Sequence, residues 1–166
     1  MSATTQPSAA PGAAKNLASD KIGRGDRAAL LCCHEPAYAE YLAAEIRRMG
    51  FKLHLATGHA DAIQHLAARS YHVSVLLENL EGCELGRNTL LQHLAALPND
   101  ERRATYIVLL CQSFATGDEM GAYALSVDQL IGYQDIGQFA SLVAPALEEH
   151  EEENHHFTAV AARLAG

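Results

Sequence analysis

The sequence predicts an α/β domain built as a doubly wound, five-stranded parallel sheet, with an extended helix at its C-terminal end. Three observations predict it. Short apolar runs punctuate the chain at residues 28–33, 52–56, 73–77, 105–111 and 129–131. Between them lie segments whose apolar residues recur at three- and four-residue steps, the period of an amphipathic helix. Each strand–helix pair fits within about thirty residues, the length of a crossover between parallel strands.

The elements follow in order. The first strand, 28–33, ends in His34-Glu35-Pro36, and proline opens a helix at no cost because its missing N–H is one the first turn leaves unpaired. Tyr38, Tyr41, Leu42, Ile46 and Met49 form one face of that helix, and Gly50 stops it. Lys52 to Ala56 is the second strand, followed by Thr57-Gly58 and a helix carrying Ala60, Ile63, Leu66 and Ala67. Val73 to Leu77 is continuous in Val and Leu, which reads as a strand buried on both faces. A loop with Gly82 and Gly86 leads to a helix marked by Leu90, Leu91, Leu94 and Leu97, stopped before Pro98. Residues 105–111 form the fourth strand, 114–125 a glycine-interrupted helix and 129–131 a short fifth strand. Phe139, Leu142, Val143, Ala146 and Leu147 mark the last helix. Within it Pro145 removes a hydrogen bond, so a bend or a break is expected, with the second piece projecting from the domain.

Composition sets further bounds. Of the 166 residues, 49% are hydrophobic, which suits one domain with a proper core. Residues 1–26 are rich in Ala, Ser, Thr, Pro and Gly without hydrophobic period, and are expected to be a disordered tail or linker. The domain is expected over 27–147, with an acidic, then amphipathic helical extension over 148–166. A net charge of −8 and the absence of tryptophan argue against a nucleic-acid partner. No apolar run is long enough for a membrane span, and the N-terminal residues lack a secretory pattern; a cytoplasmic address is expected. The four cysteines, Cys32, Cys33, Cys83 and Cys111, form no CxxC pair and read as reduced, mostly buried thiols.

Within this frame, Arg27-Ala-Ala-Leu-Leu-Cys-Cys-His-Glu-Pro36, the helix after it and Met49-Gly50-Phe51 resemble the opening of a response-regulator receiver (CheY-like) domain. Tyr71 to Leu77 is similar to that family's third strand, and Gly86 stands where the following loop usually carries glycine. The resemblance covers roughly residues 27–147 and implies a flavodoxin-like sheet of order 2-1-3-4-5 and a place in two-component signal transduction. It also implies where a phosphorylation site should lie, and there the sequence departs. The acidic pair that holds Mg²⁺ in receivers falls on Cys33 and His34, a thiol and an imidazole, whereas a hard cation wants carboxylate oxygens. The phospho-accepting aspartate falls on Leu77 or Glu78, depending on whether one counts from Tyr71 or back from Gly86. The hydroxyl residue ending the fourth strand falls on Leu110 or Cys111, and the lysine after the fifth on Tyr133-Gln134. Together these remove metal ligands, nucleophile, hydroxyl and cation. The expectation is a degenerate pseudo-receiver with no catalytic residues.

Other chemistries fare worse. Cys33, His34, Glu78 and Cys111 could converge at the strand ends, and thiolate with imidazole suits zinc, but no pair has an established zinc spacing; neither metal nor cofactor is expected. A Cys33–Cys111 disulfide would have to cross two strand spacings, roughly 9.6 Å, beyond the roughly 7 Å limit. No GxGxxG, P-loop or GxSxG follows a strand, so no enzyme is expected. The expected function is phosphorylation-independent protein interaction, as an adaptor, localisation or regulatory factor; the alternative is a small-ligand or metal sensor using the strand-end pocket. Phe157, Val160, Ala161 and Leu164 repeat at helical steps beyond the glutamates of 148–153, and this stripe is the expected interface to a protein partner, a homodimer included.

Overall fold

The computed structural model describes residues 17–165, apart from the side chains of 157 and 158. Five parallel strands form one sheet of order β2-β1-β3-β4-β5. They are β1 (Ala28–Cys32), β2 (Lys52–Ala56), β3 (Val73–Leu77), β4 (Tyr106–Cys111) and β5 (Gln129–Gly132). The register sets Leu77 beside Leu110 and Leu110 beside Ile131, so β3, β4 and β5 end level with one another. Every residue of β1, β3 and β4 is buried, as their unbroken apolar runs require of strands covered on both faces.

The helices are α1 (Pro36–Arg48), α2 (His59–Ala68), α3 (Thr89–Ala95), α4 (Asn99–Ala104), α5 (Glu119–Leu125) and α6 (Phe139–Ala165). The chain runs outward from β1 to β2 and then back past β1 to β3, so right-handed crossovers place α1 and α2 on opposite faces. In keeping with this, α1 packs with α6, and α2 with α3. The reversal of direction between β1 and β3 opens the crevice at their carboxyl ends where such sheets place ligands.

Four features differ from the sequence expectation. The short α4 was not expected; none of its residues is buried, so it carries no apolar stripe. The helix expected from 114 begins only at Glu119, because Gly117 turns at φ +81° and Asp118 caps the new start by accepting from Gly121 N.

The N-terminal segment is the third. Residues 17–22 lie along β2, where Asp20 N–H donates to Leu53 O (2.7 Å) and Leu53 N–H donates to Asp20 Oδ2 (2.9 Å). Leu55 N–H donates to Ser19 Oγ (2.9 Å), and Arg47 Nε meets Asp20 Oδ2 at 3.1 Å. Leu17 and Ile22 pack against the core. The expected tail therefore does not extend to residue 26: this stretch covers the otherwise free edge of the sheet, a common protection against pairing with other chains. Residues 1–16 lie outside the described residues.

The fourth is α6: of the bend or break expected at Pro145 the break is absent, and one helix of 27 residues runs through the proline. Phe139, Val143 and Leu147 are buried on either side of the proline. Further on, Arg27 pairs with Glu151 (2.6 Å), and His150 Nε2 and Asn154 Nδ2 both donate to Arg103 O (3.1 and 2.7 Å). Packing before and after the proline holds the helix through the loss of one hydrogen bond. From His155 onward the described side chains are exposed.

Candidate functional site

The carboxyl ends of β1, β3, β4 and β5 deliver four side chains to one place. Cys33 follows β1 and extends its ladder, N–H donating to Ala56 O (2.9 Å). Its thiol is buried, donates to Glu35 O (3.4 Å), and is pushed up to about 11 chiefly by that burial. It is a neutral thiol at neutral pH. His34 turns instead to the rim, where its Nδ1 accepts from Glu81 N (3.1 Å) and its Nε2 lies 3.4 Å from Glu35.

Glu78 follows β3. Its N–H donates to Leu110 O (2.8 Å), carrying the β3–β4 ladder one residue further. The side chain is only 6% exposed. Oε2 accepts from Gln112 N (3.1 Å), just past β4, while Oε1 is buried with no partner. Leu77, the other position in question, belongs to the core, and so does Leu110. At the end of β4 the residue beside the pocket is Cys111, whose buried thiol donates to Phe114 O (3.5 Å) and is likewise raised by burial.

Tyr133 follows β5. Its ring stacks on Tyr38 (centroids 6.3 Å apart, 19° between planes), and its hydroxyl donates to Asn79 Oδ1 (2.6 Å). Burial holds that hydroxyl above its usual range, and the Glu78 carboxylate with the Cys111 and Cys33 thiols adds to the effect. A neutral phenol thus stands among Glu78, Cys111 and Cys33, where the receiver resemblance implies a lysine.

Side chains that the sequence reading passed over hold this arrangement. Asn88 is fully buried; its Nδ2 donates to Leu77 O (3.1 Å) and Glu78 O (3.0 Å), while its Oδ1 caps α3 by accepting from Leu91 N (2.9 Å). Asn before Thr89-Leu90-Leu91 is an N-cap signal that could have found it. His59 Nε2 donates to Leu80 O (2.9 Å) and Nδ1 accepts from Leu90 N (3.3 Å), which ties α2 and α3 to the loop after β3. That loop also carries Glu81 at φ +59°, with its carboxylate against Gly58: a Cβ there would lie 1.8 Å from Oε1, so a larger residue at 58 would displace the exposed Glu81 side chain.

The site therefore has one buried carboxylate, two neutral thiols and a phenol. Among the described residues no three His, Cys, Asp or Glu side chains form a group able to hold a metal ion. The expected interface on α6 is a separate feature: Val160, Ala161 and Leu164 are exposed, Leu164 at 85%, and the Phe157 side chain lies outside the described residues.

No family model and no curated protein matches the chain. Solved structures do. The chain is similar to the receiver domain of an HD domain-containing protein from Pseudomonas fluorescens, at 18% identity over 81% of this chain and 96% of that one, with a TM-score of 0.58. A CheY-like receiver domain protein from Methanospirillum hungatei gives 12% identity, 78% and 99% coverage and a TM-score of 0.61. An orphan response regulator of H. pylori gives 14%, 75% and 99%, and 0.57. The fold is the receiver fold, of order 2-1-3-4-5.

Proposed function

We propose that this chain is a pseudo-receiver: a cytoplasmic, non-enzymatic protein-interaction module that acts in bacterial signalling as an adaptor, localisation or regulatory factor, without phosphorylation. The receiver fold supports the signalling context. The observation that carries the rest is the Glu78 carboxylate, buried after β3 and bonded through Oε2 to Gln112 N. A receiver's nucleophile has to be reached by metal and phosphate donor. This carboxylate is enclosed, one methylene longer than aspartate, and already engaged with the loop after β4. It serves as a fixed negative charge that joins two strand-end loops. Cys33 as a neutral thiol and His34 bonded to Glu81 N leave no paired carboxylates for Mg²⁺. Partner docking falls to surfaces away from the pocket, above all the exposed end of α6, through which a homodimer could also form.

The test is a Mg²⁺ titration of the full chain followed by amide NMR. No saturable shift at His34, Glu35 or Glu78 is expected up to about 20 mM, well above what a carboxylate site needs. Saturation in the low millimolar range at those amides would refute the reading.

A further inference from the structure

Between β2 and α2, two histidines share one tyrosine hydroxyl. His54 belongs to β2, His65 to the last turns of α2, and Tyr71 stands just before β3. The Tyr71 hydroxyl lies 2.7 Å from His54 Nδ1 and 3.4 Å from His65 Nδ1, and the two imidazole rings are 5.2 Å apart. Arg69, the residue after α2, sets its guanidinium 5.8 Å from the Tyr71 ring centre, and its buried Nε has no acceptor among the described residues. Ala62, in the first half of α2, is the one residue that helix buries, so its C-terminal turn leans on this cluster.

The hydroxyl has a single proton to give, and burial, which pushes the phenol up to about 12, keeps it there. While His54 is neutral, that proton goes to His54 Nδ1, and His65 Nδ1–H donates to the hydroxyl oxygen. A proton added at His65 Nε2 leaves this pattern intact, because it faces Asp61 Oδ1 at 3.5 Å. A further proton on His54 breaks it. Both Nδ1 atoms then donate, the hydroxyl proton loses its acceptor, and two imidazoliums stand beside a guanidinium that is charged at every pH. The carboxylates facing the cluster do not answer three cations: Asp61 is half exposed, and Asp20 of the N-terminal segment is already engaged by Arg47 and Leu53 N.

We propose that this cluster is a pH-sensitive latch: protonation of His54 frees the C-terminal turn of α2, residues 65–69, from β2 and Tyr71. Burial, then the charges of His65 and Arg69, hold the His54 imidazole below its ordinary 6.5, and the hydrogen bond and charge of Asp20 offset only part of this. Once the turn is free the imidazole regains its ordinary value, so the open form binds more protons. Closure is therefore complete above about pH 6.5 and weakens as pH falls from there through the folded value. Leu66 and Ala67 of this turn wall a cavity of about 370 Å³ shared with Leu97 and Ala104, so the opening uncovers apolar surface there. Glu78 takes no part, and the inference stands apart from the proposed function.

Amide hydrogen exchange of the full chain at about pH 7.5 and about pH 5, corrected for the chemical rate of each amide, measures the opening. Protection of the Ala67, Ala68 and Arg69 amides relative to those of β4 should fall at least about threefold, and the His54 imidazole should titrate below 6.5 in the same samples. His54→Gln still accepts from the hydroxyl but does not titrate, so its ratio should stay constant. Tyr71→Phe, which removes the hydroxyl and keeps the ring, should lower the ratio already at neutral pH and serves if His54→Gln does not fold. A constant ratio in the native chain, an equal fall in His54→Gln, a His54 midpoint at or above 6.5, or undiminished protection in Tyr71→Phe would each overturn the proposal.

Discussion

Replacing Asn88 by alanine removes one fully buried side chain that makes three hydrogen bonds at once, all between 2.9 and 3.1 Å. The loss has two parts. Without Oδ1, α3 loses its N-cap, which costs about 1 kcal/mol. Without Nδ2, the carbonyls of Leu77 and Glu78 lose a buried donor, at a cost of about 1–3 kcal/mol in all, depending on how far their other partners compensate. The sum, about 2–4 kcal/mol, is a large share of the roughly 5–15 kcal/mol that holds a typical domain. Urea denaturation followed by far-UV circular dichroism measures it, with the slope m expected to stay unchanged because the same surface is exposed on unfolding. Asn88→Asp is the informative companion: it keeps the cap acceptor but turns a carboxylate toward two carbonyl oxygens, so at neutral pH it should be no more stable than the alanine variant. A cost below about 1 kcal/mol for Asn88→Ala, smaller than one cap and one buried hydrogen bond, would refute the view that this side chain holds the loop carrying Glu78.

Two further outcomes are expected. Asp20→Ala should destabilise the domain by about 2 kcal/mol, because it removes the Arg47 pair and the bond to Leu53 N. Burial pushes the Asp20 carboxyl up, but the hydrogen bonds from Arg47 and Leu53 with nearby positive charge outweigh it and leave the group below its usual value. A depressed folded pKa means that its contribution is complete above about pH 4, the unfolded value, and is lost as pH falls through the folded one; denaturant titrations at pH 7 and pH 3 on both proteins should show their difference shrink. Cutting the chain after Leu147 removes the Arg27–Glu151 pair and the His150 and Asn154 bonds to Arg103 O, which are exposed, so no more than about 2 kcal/mol should be lost. In light scattering the cut chain should be monomeric and the full chain should self-associate; equal masses would remove α6 as an interface between copies.

What the sequence revealed follows from which forces leave a pattern in it. Burial on both faces of a sheet demands unbroken apolar runs, so Val73–Leu77 and the run ending at Cys111 were legible to within a residue. The segment around Asp20 was not: it is polar, and it docks through one main-chain bond and the side chains of Asp20 and Ser19, which no hydrophobic period marks. The same holds for α4, NDERRA, whose signals are acids in its first turn and arginines in its last rather than an apolar face. Pro145 was read from the hydrogen bond it removes, whereas the packing of Phe139, Val143 and Leu147 that offsets that loss is a tertiary property. At the site, counting alone left Leu77 against Glu78 and Leu110 against Cys111. In the structure Leu77 and Leu110 lie side by side in the core, whereas Glu78 Oε2 accepts from Gln112 N and the Cys111 thiol donates to Phe114 O. Tyr133 was found as a substitution, but its stacking on Tyr38 and its bond to Asn79 depend on loops no periodicity describes.

The central claim is that the strand-end pocket no longer takes up phosphate. The most direct measurement is the intact mass of the full chain after incubation with acetyl phosphate and Mg²⁺, with a melting curve in beryllofluoride and Mg²⁺ alongside. The enclosed Glu78 carboxylate and the neutral Cys33 thiol predict an unchanged mass and an unchanged melting temperature. A stoichiometric phosphoryl adduct mapped to Glu78 would contradict the account.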